Sequence, residues 1–382
     1  MPLFILAHFA HHLLTALPIP LLPMIRSDFS LDYTKSGLVM AAFTLSYGIG
    51  QLPAGWLADR TGPRLVLTIG ICGVAMAGFF VGLSHTFLMM VFFLALMGVL
   101  GGGYHPAAPP MISASVGPQS QGRALGVHAI GGSASYFLAP LIAVLIAAQW
   151  GWRGSFIGLA LPTIVLGIFF YGVLGRMAAR KDPFPAREIQ PAGAARRRVA
   201  RTLVPFIILS TFTGAVIYST ISFIPLFLVD HFHYGKETAG ALFAFIYSGG
   251  LWMSPLAGYF SDRWGRVPVI LTVCFLAGPV IFLLNWVPSG FGIIILLLTI
   301  GMIIYARMPV SEAYIIEQTR EGNRSLILGI YFFSSSEGGG LLTPVIGYLI
   351  DHFGFGLSFS LAGAAVLLVT FLCSFWLRGS RA

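Results

Sequence analysis

Apolar runs of about twenty residues, separated by short clusters of charge or by Gly/Pro turns, succeed one another along almost the whole chain. They place helices near 3–24, 37–57, 64–84, 87–115, 123–148 and 154–175, and again near 202–229, 238–260, 267–287, 291–316, 326–350 and 356–377. Between the two sets of six lies one long polar stretch, Arg176 to Arg201, which holds Arg180, Lys181, Arg187 and the run Arg196-Arg197-Arg198. A helix of roughly 20 apolar residues spans the hydrocarbon of a bilayer and satisfies its own backbone hydrogen bonds there. The pattern therefore predicts an all-α integral membrane protein with twelve transmembrane helices: a six-helix bundle over 1–176, a basic cytoplasmic linker over 177–201 and a second six-helix bundle over 202–382.

The two halves repeat. Gly55-Trp56-Leu57-Ala58-Asp59-Arg60-Thr61-Gly62 recurs as Gly258-Tyr259-Phe260-Ser261-Asp262-Arg263-Trp264-Gly265, an offset of 203 residues. The same offset carries Pro106 onto Pro309, Gly126 onto Gly329 and Phe156 onto Phe359. Each octapeptide sits between two apolar runs, so each predicts a tight charged turn joining two helices, with glycine letting the backbone reverse.

Composition supports the bilayer reading: 57% of the 382 residues are hydrophobic and 9% charged, where soluble domains carry about 25% charge. The net charge of +9 has the look of a nucleic-acid signal until its distribution is considered. With the N-terminus inside, seventeen basic residues fall in cytoplasmic loops and the tail, against four (Arg26, Lys35, Arg153 and Lys236) on the opposite side. That bias predicts both termini in the cytoplasm. The linker reads as a solvated loop near anionic lipid, since no aromatic interleaving points to nucleic acid. The N-terminal apolar stretch reads as the first helix and not as a cleavable signal. Cys72, Cys274 and Cys373 lie within helices without metal or disulfide spacing.

Six plus six helices, a basic central loop, and G-x-x-x-D-R-x-G in the loops after helices 2 and 8 resemble the major facilitator superfamily of secondary transporters. His8-Phe9, Ala16-Leu17-Pro18 through Leu22-Pro23, and Tyr104-His105-Pro106 are similar to its fosmidomycin-resistance-like efflux branch. The resemblance implies a conformational gate at Asp59, Arg60, Gly62 and Arg64, and at Asp262, Arg263, Gly265 and Arg266; the residues by themselves also fit plain turns with topology-setting arginines. Two departures stand out. Pro63 occupies a position that is usually basic in the family, and no acidic residue lies near His12, where the branch places one.

The facilitator fold implies a central cavity lined by helices 1, 4, 7 and 10, with substrate sites near the midplane. His11, His12, Tyr104, His105 and Arg307 fall at that depth and are the substrate-binding candidates; Tyr104 aligns with Arg307 in the repeat. Arg307 is the one basic residue left inside the membrane once the loops are assigned. Burial of an unpaired arginine costs about 2.5 kcal/mol or more, so it needs a partner: an anionic substrate group, for which the guanidinium fork is suited, or an ion pair with Glu312 or Glu337. Pro309 two residues on predicts a local break in helix 10. Glu337, followed by Gly338-Gly339-Gly340, sits mid-helix where a carboxyl is costly to ionise; it reads as a proton-coupling group or as a static partner of Arg307. Glu312 and Glu317 lie nearer the cytoplasmic end.

His8, His11 and His12 share i, i+3, i+4 spacing. Imidazole suits zinc, iron and copper, but no carboxylate or thiolate shares these stretches, so hydrogen-bonding or pH-coupling histidines are the favoured reading and neither metal nor cofactor is assigned. Gly98, Gly101-Gly102-Gly103 and Gly131-Gly132 read as helix-packing seams, and Trp150 and Trp152 as an interfacial belt. No phosphate-binding loop or catalytic triad is present, which excludes a hydrolytic motor and predicts no enzyme activity.

Taken together, the residues and the resemblance point to a monomeric, proton-coupled antiporter of the cytoplasmic (inner) membrane. It would export a small amphipathic or anionic solute, with lipid and protons as its other partners. A transition-metal exporter and a non-transporting scaffold or receptor are the alternatives.

Overall fold

Proline and glycine set where the apolar runs become separate helices. The computed structural model describes residues 1–116, 121–178, 196–319 and 321–378, all helical apart from short connections. The first run divides into α1 (Pro2–Thr15) and α2 (Pro18–Phe29), because Pro18 has no N–H to continue the α1 ladder; Leu17 instead bonds back to the Leu14 carbonyl at 3.2 Å. After α3 (Tyr33–Thr61) and α4 (Pro63–Gly82), the fourth run likewise divides, into α5 (Phe87–Gly101) and α6 (Tyr104–Ser115). The ring of Pro106 would clash with the carbonyl four residues back, and the turn falls there, at Gly102-Gly103.

α7 (Gln121–Ala178) holds two crossings hinged at Gly151. α8 (Arg196–Ser222) and α9 (Ile224–Asp230) part just before Pro225, and α10 (Lys236–Ser248) and α11 (Gly250–Trp264) at Gly249. α12 (Arg266–Phe282) ends in a single 3-10 turn, α13 runs Phe291–Gln318, and α14 (Glu321–Arg378) hinges at Gly354.

The repeat is written in the backbone. Gly62 and Gly265, offset by 203, have φ of 90° and 92°; Gly151 and Gly354, at the same offset, have 68° and 74°. Only glycine adopts such angles without strain. Among the described residues nine ranges are long and apolar enough to cross a bilayer; two of them, 50 and 49 residues long, contain the glycine hinges and so hold two crossings each. With α3, 29 residues long, this fits twelve crossings. Large apolar side chains such as Leu145, Leu88 and Phe291 point outward, as lipid-facing helices require.

Two compact units emerge from the contacts. One takes in the chain through α7 together with Phe223–Ala244, and the other takes in α8 and everything from Phe245 onward. The expected bundle boundary near residue 202 thus differs from the contact boundary: α9 belongs with the first unit, where Asp230 ion-pairs with Arg26 and accepts from the Tyr33 hydroxyl at 2.5 Å. Residues 179–195 of the expected linker, and the side chains of its Arg196-Arg197-Arg198 run, lie outside the described residues. In the first unit α1, α4, α6 and α7 share a core of Phe4, Leu67, Ile71, Tyr104, Ile112 and Phe170.

The glycine sets act as seams. A Cβ on Gly98 or Gly102 would overlap the backbone of α3, and one on Gly131 would overlap the Ile5 carbonyl of α1. Trp152 departs from the expected belt. Trp150 is exposed, but Trp152 is buried and donates to the Asp28 carboxylate at 3.3 Å, beside the Arg153–Asp28 ion pair at 2.5 Å.

Candidate functional site

Each unit carries one buried polar constellation. In the first, α1 brings His8, His11 and His12 to one place, α6 adds Tyr104 and His105, and α7 adds His128. Gly131 allows α1 to lie directly on α7, and Gly132 leaves room for the His8 ring, which a Cβ there would meet at 2.6 Å. His8 stacks on His128 at 4.2 Å between centroids and on Tyr104 at 5.2 Å. His11 stacks on Tyr104 at 4.5 Å and His12 lies 5.4 Å from His105.

The hydrogen bonds separate these histidines by role. His11 is fully buried; its Nδ1 donates to the Gly70 carbonyl at 3.1 Å and its Nε2 accepts from the Tyr47 hydroxyl at 3.1 Å. Both of its nitrogens are spent within the unit. His128 Nδ1 donates to the Phe4 carbonyl at 3.1 Å. His8 Nδ1 donates to the His128 carbonyl at 3.0 Å, His12 Nδ1 meets Thr15 Oγ1 at 3.0 Å, and the two Nε2 atoms face each other at 3.1 Å. The Tyr104 hydroxyl is buried and has no hydrogen-bond partner among the described residues.

In the second unit Arg307 projects from α13 against α8. Its Nη1 donates to the Ser210 carbonyl at 2.8 Å, to Ser210 Oγ at 2.9 Å and to the Tyr331 hydroxyl at 3.1 Å. The guanidinium lies flat over Gly214, where a Cβ would stand 2.7 Å from Nη2. Its Nε is buried and unbonded. The expected contact ion pair with Glu312 or Glu337 does not form: among the described residues every hydrogen-bond partner of Arg307 is neutral.

The expected break in helix 10 is likewise absent, since α13 passes Pro309 without interruption. Pro309 frees the Tyr305 carbonyl, and the Ser254 hydroxyl of α11 donates to it at 3.1 Å, which replaces the lost backbone bond. Glu337 is partly buried on α14, with Oε1 lacking a partner among the described residues. The glycines after it form a seam, and the helix runs on through them; a Cβ on Gly339 would meet the Tyr218 ring of α8 at 2.8 Å.

The two loop motifs differ in how they are tied. In the first, Arg64 donates to the Tyr171 carbonyl of α7 at 2.9 and 2.6 Å and lies over the Tyr171 ring, while Arg60 covers Trp56. The Asp59 side chain lies outside the described residues. In the second, Arg266 bridges Asp262 at 2.5 Å and Glu317 at 2.9 Å, fastening the ends of α11 and α13, and Arg263 donates to the Tyr259 hydroxyl at 3.2 Å. Gly62 and Gly265 make the turns.

Sequence reasoning passed over His128 and Ser210. The repeat offset is the signal that could have found them: it carries Tyr104 onto Arg307, His128 onto Tyr331 and Ala7 onto Ser210. Two positions of the histidine cluster, Tyr104 and His128, therefore correspond to members of the arginine cluster, Arg307 and Tyr331, in the other unit.

The sequence profile described as Major Facilitator Superfamily matches residues 4–308 and 223–382. The chain belongs to the Major Facilitator Superfamily. The fosmidomycin resistance protein of Escherichia coli (strain K12) is 24% identical over 370 residues, covering 95% of this chain and 89% of that protein. A probable L-galactonate transporter of the same organism is 31% identical over 147 residues, 38% of this chain; the chain spans only 32% of that relative's length. A solved bacterial homolog of the human lysosomal transporter Spinster, inward-facing and occupied, superimposes with a TM-score of 0.79 over 100% of this chain and 96% of that one, at 17% identity, a likeness of fold. The superfamily member described here is accordingly an all-α, multi-pass membrane transporter with the facilitator fold, and not an enzyme.

Proposed function

We propose that this transporter is a proton-coupled exporter of a small organic anion or amphipathic acid, with Arg307 holding the anionic group. One observation carries the reading: a buried guanidinium whose hydrogen-bond partners are all neutral, and whose Nε is unbonded, keeps a donor for an anion. Tyr104, His105 and His12 are the polar solute-binding residues we assign within the first unit. His11 braces Tyr104 from behind, and Glu337 carries the coupled proton. The protein works as a monomer in the cytoplasmic membrane of a bacterium, both termini inside, its six-helix halves 1–176 and 202–382 joined by the basic segment 177–201. The names of relatives support an acidic solute and the outward direction: one is called a probable L-galactonate transporter and another a fosmidomycin resistance protein.

A thermal-unfolding screen of the detergent-purified protein tests the anion assignment. A ligand at about 100 times its Kd adds roughly 2.7 kcal/mol of apparent stability, so cognate carboxylates or phosphonates should raise Tm by several degrees while their neutral amides or esters should not. Equal shifts from acids and their neutral analogues would remove the anion from the reading.

The loop motifs act as the cytoplasmic gate, Asp59, Arg60, Gly62 and Arg64 in one half and Asp262, Arg263, Gly265 and Arg266 in the other. Asp262→Asn takes one carboxylate from Arg266 and leaves Glu317. The pair is exposed on the carboxylate side, so the loss is about 1 kcal/mol or less and the protein stays folded. Cytoplasmic cavity positions, probed by cysteine labelling, should become more reactive in Asp262→Asn and Asp59→Asn; unchanged labelling in both argues for simple turns.

A further inference from the structure

We infer that His8, His12 and His105 form a binding site for a divalent transition-metal ion of the zinc class. Each offers one ring nitrogen, and the three atoms lie within 4.8 Å of one another. They come from two helices, α1 and α6, of the same unit, and two of them are buried. The inference does not rest on the anion reading, which is carried by Arg307 in the other unit, although His12 and His105 are also given solute contacts there.

The hydrogen bonds around the ring nitrogens make the case. A neutral imidazole carries one N–H. His8 must place it on Nδ1, because its partner there, the His128 carbonyl, only accepts; His8 Nε2 is then a bare lone pair. His12 Nδ1 faces Thr15 Oγ1, and the Thr15 hydroxyl is itself directed at the His12 carbonyl at 3.4 Å. Where the hydroxyl donates to that carbonyl it accepts from Nδ1, which leaves His12 Nε2 bare as well; where it donates to Nδ1 instead, His12 Nε2 donates to His8 Nε2. In the first tautomer two lone pairs face each other at 3.1 Å, an arrangement that a positive centre between them would satisfy. Zinc–nitrogen bonds of about 2.0–2.1 Å in a tetrahedral site put neighbouring ligand nitrogens roughly 3.3 Å apart, close to the spacing of this pair.

Metal-bound histidines characteristically give their other N–H to a carbonyl or a similar acceptor, which fixes the ring and its tautomer. His8 has that arrangement through the His128 carbonyl, and His12 has it through Thr15. The His8 ring is further held between Tyr104 and His128 and by the space over Gly132. His105 keeps accessible surface where His8 and His12 are buried, so an ion has an approach. Three neutral nitrogens and no carboxylate favour zinc, cobalt, nickel or copper over magnesium and calcium. Three protein ligands leave a fourth position open on a tetrahedral ion, and the unpartnered Tyr104 hydroxyl lies in the same cluster.

The test uses the full-length protein in detergent with Zn2+ and Co2+ as probes and Mg2+ as the control. Calorimetric titration should give saturable binding of about one Zn2+ per chain with no response to Mg2+. Replacing His8, His12 or His105 with glutamine should raise Kd at least about tenfold, on the scale that even outer-shell changes reach. A variant lacking the exposed His85, His231, His233 and His352 should bind as the native protein does. Should the cluster variants fail to fold, X-ray absorption on the native protein loaded with one equivalent of Zn2+ still decides: three imidazoles in the first shell are expected. Absence of saturable binding, or fewer than two imidazoles, or loss of binding only when the exposed histidines are removed, overturns the site and leaves a shared proton between His8 and His12.

Discussion

Arg307→Ala will leave the transporter folded and weaken binding of its anionic ligand about ten- to one-hundred-fold. The affinity loss follows from removing a charged hydrogen-bond donor, which contributes about 1.5–3 kcal/mol, at 1.4 kcal/mol per factor of ten. The fold survives because the hydrogen-bond partners of Arg307 are neutral, and Ser210 keeps its hydrogen bonds to Ser311 at 2.7 Å and to Tyr331 at 3.2 Å when the guanidinium is gone. An arginine at this depth costs about 2.5–3.5 kcal/mol to insert, so the alanine variant should unfold at the same temperature as the native protein or a higher one. Arg307→Lys keeps the charge but loses the planar fork and should fall between the two. Titration calorimetry on the three proteins measures the series; equal affinity in native protein and Arg307→Ala would remove Arg307 from the binding site.

Glu337→Gln will abolish solute accumulation driven by a pH gradient and spare exchange of solute across proteoliposomes without one. Glutamine has the shape of the protonated carboxyl and can neither gain nor release a proton. A carrier whose coupled proton rides on Glu337 is therefore held in one protonation state and still changes between its two orientations. The stakes are large, because each pH unit across the membrane represents 1.36 kcal/mol per proton and each 100 mV about 2.3 kcal/mol per charge. Both activities are read in the same vesicles with labelled solute. Native-like accumulation by Glu337→Gln would place the coupled proton on another group.

The helix pattern was legible because lipid imposes one rule on every crossing, and the octapeptide repeat was legible because glycine at positive φ cannot be replaced without strain. Gly62, Gly151, Gly265 and Gly354 show both. The breaks inside crossings were harder to read. Pro18 and Pro106 divide their runs while Pro309 does not; beside Pro309 the freed Tyr305 carbonyl is taken up by a hydroxyl on another helix, Ser254, which no local pattern reveals. The polar clusters followed the same division. Arg307 and the α1 histidines were visible as costly residues at the wrong depth. Whether Arg307 meets a carboxylate or three neutral oxygens depends on which face of α8 turns toward α13. His128 and Ser210 look unremarkable alone and acquire meaning only beside Tyr331 and Ala7 in the repeat.

The two loops of the repeat are fastened by different chemistry. Arg64 closes on a backbone carbonyl and an aromatic face, neither of which carries a charge, whereas Arg266 closes on two carboxylates that are 66% and 49% exposed. Dissolved salt screens the second contact over a Debye length of about 8 Å at physiological ionic strength and scarcely touches the first. Among the described residues, one half of a duplicated protein thus has a clasp built on neutral groups, while its twin loosens as the surrounding ionic strength rises.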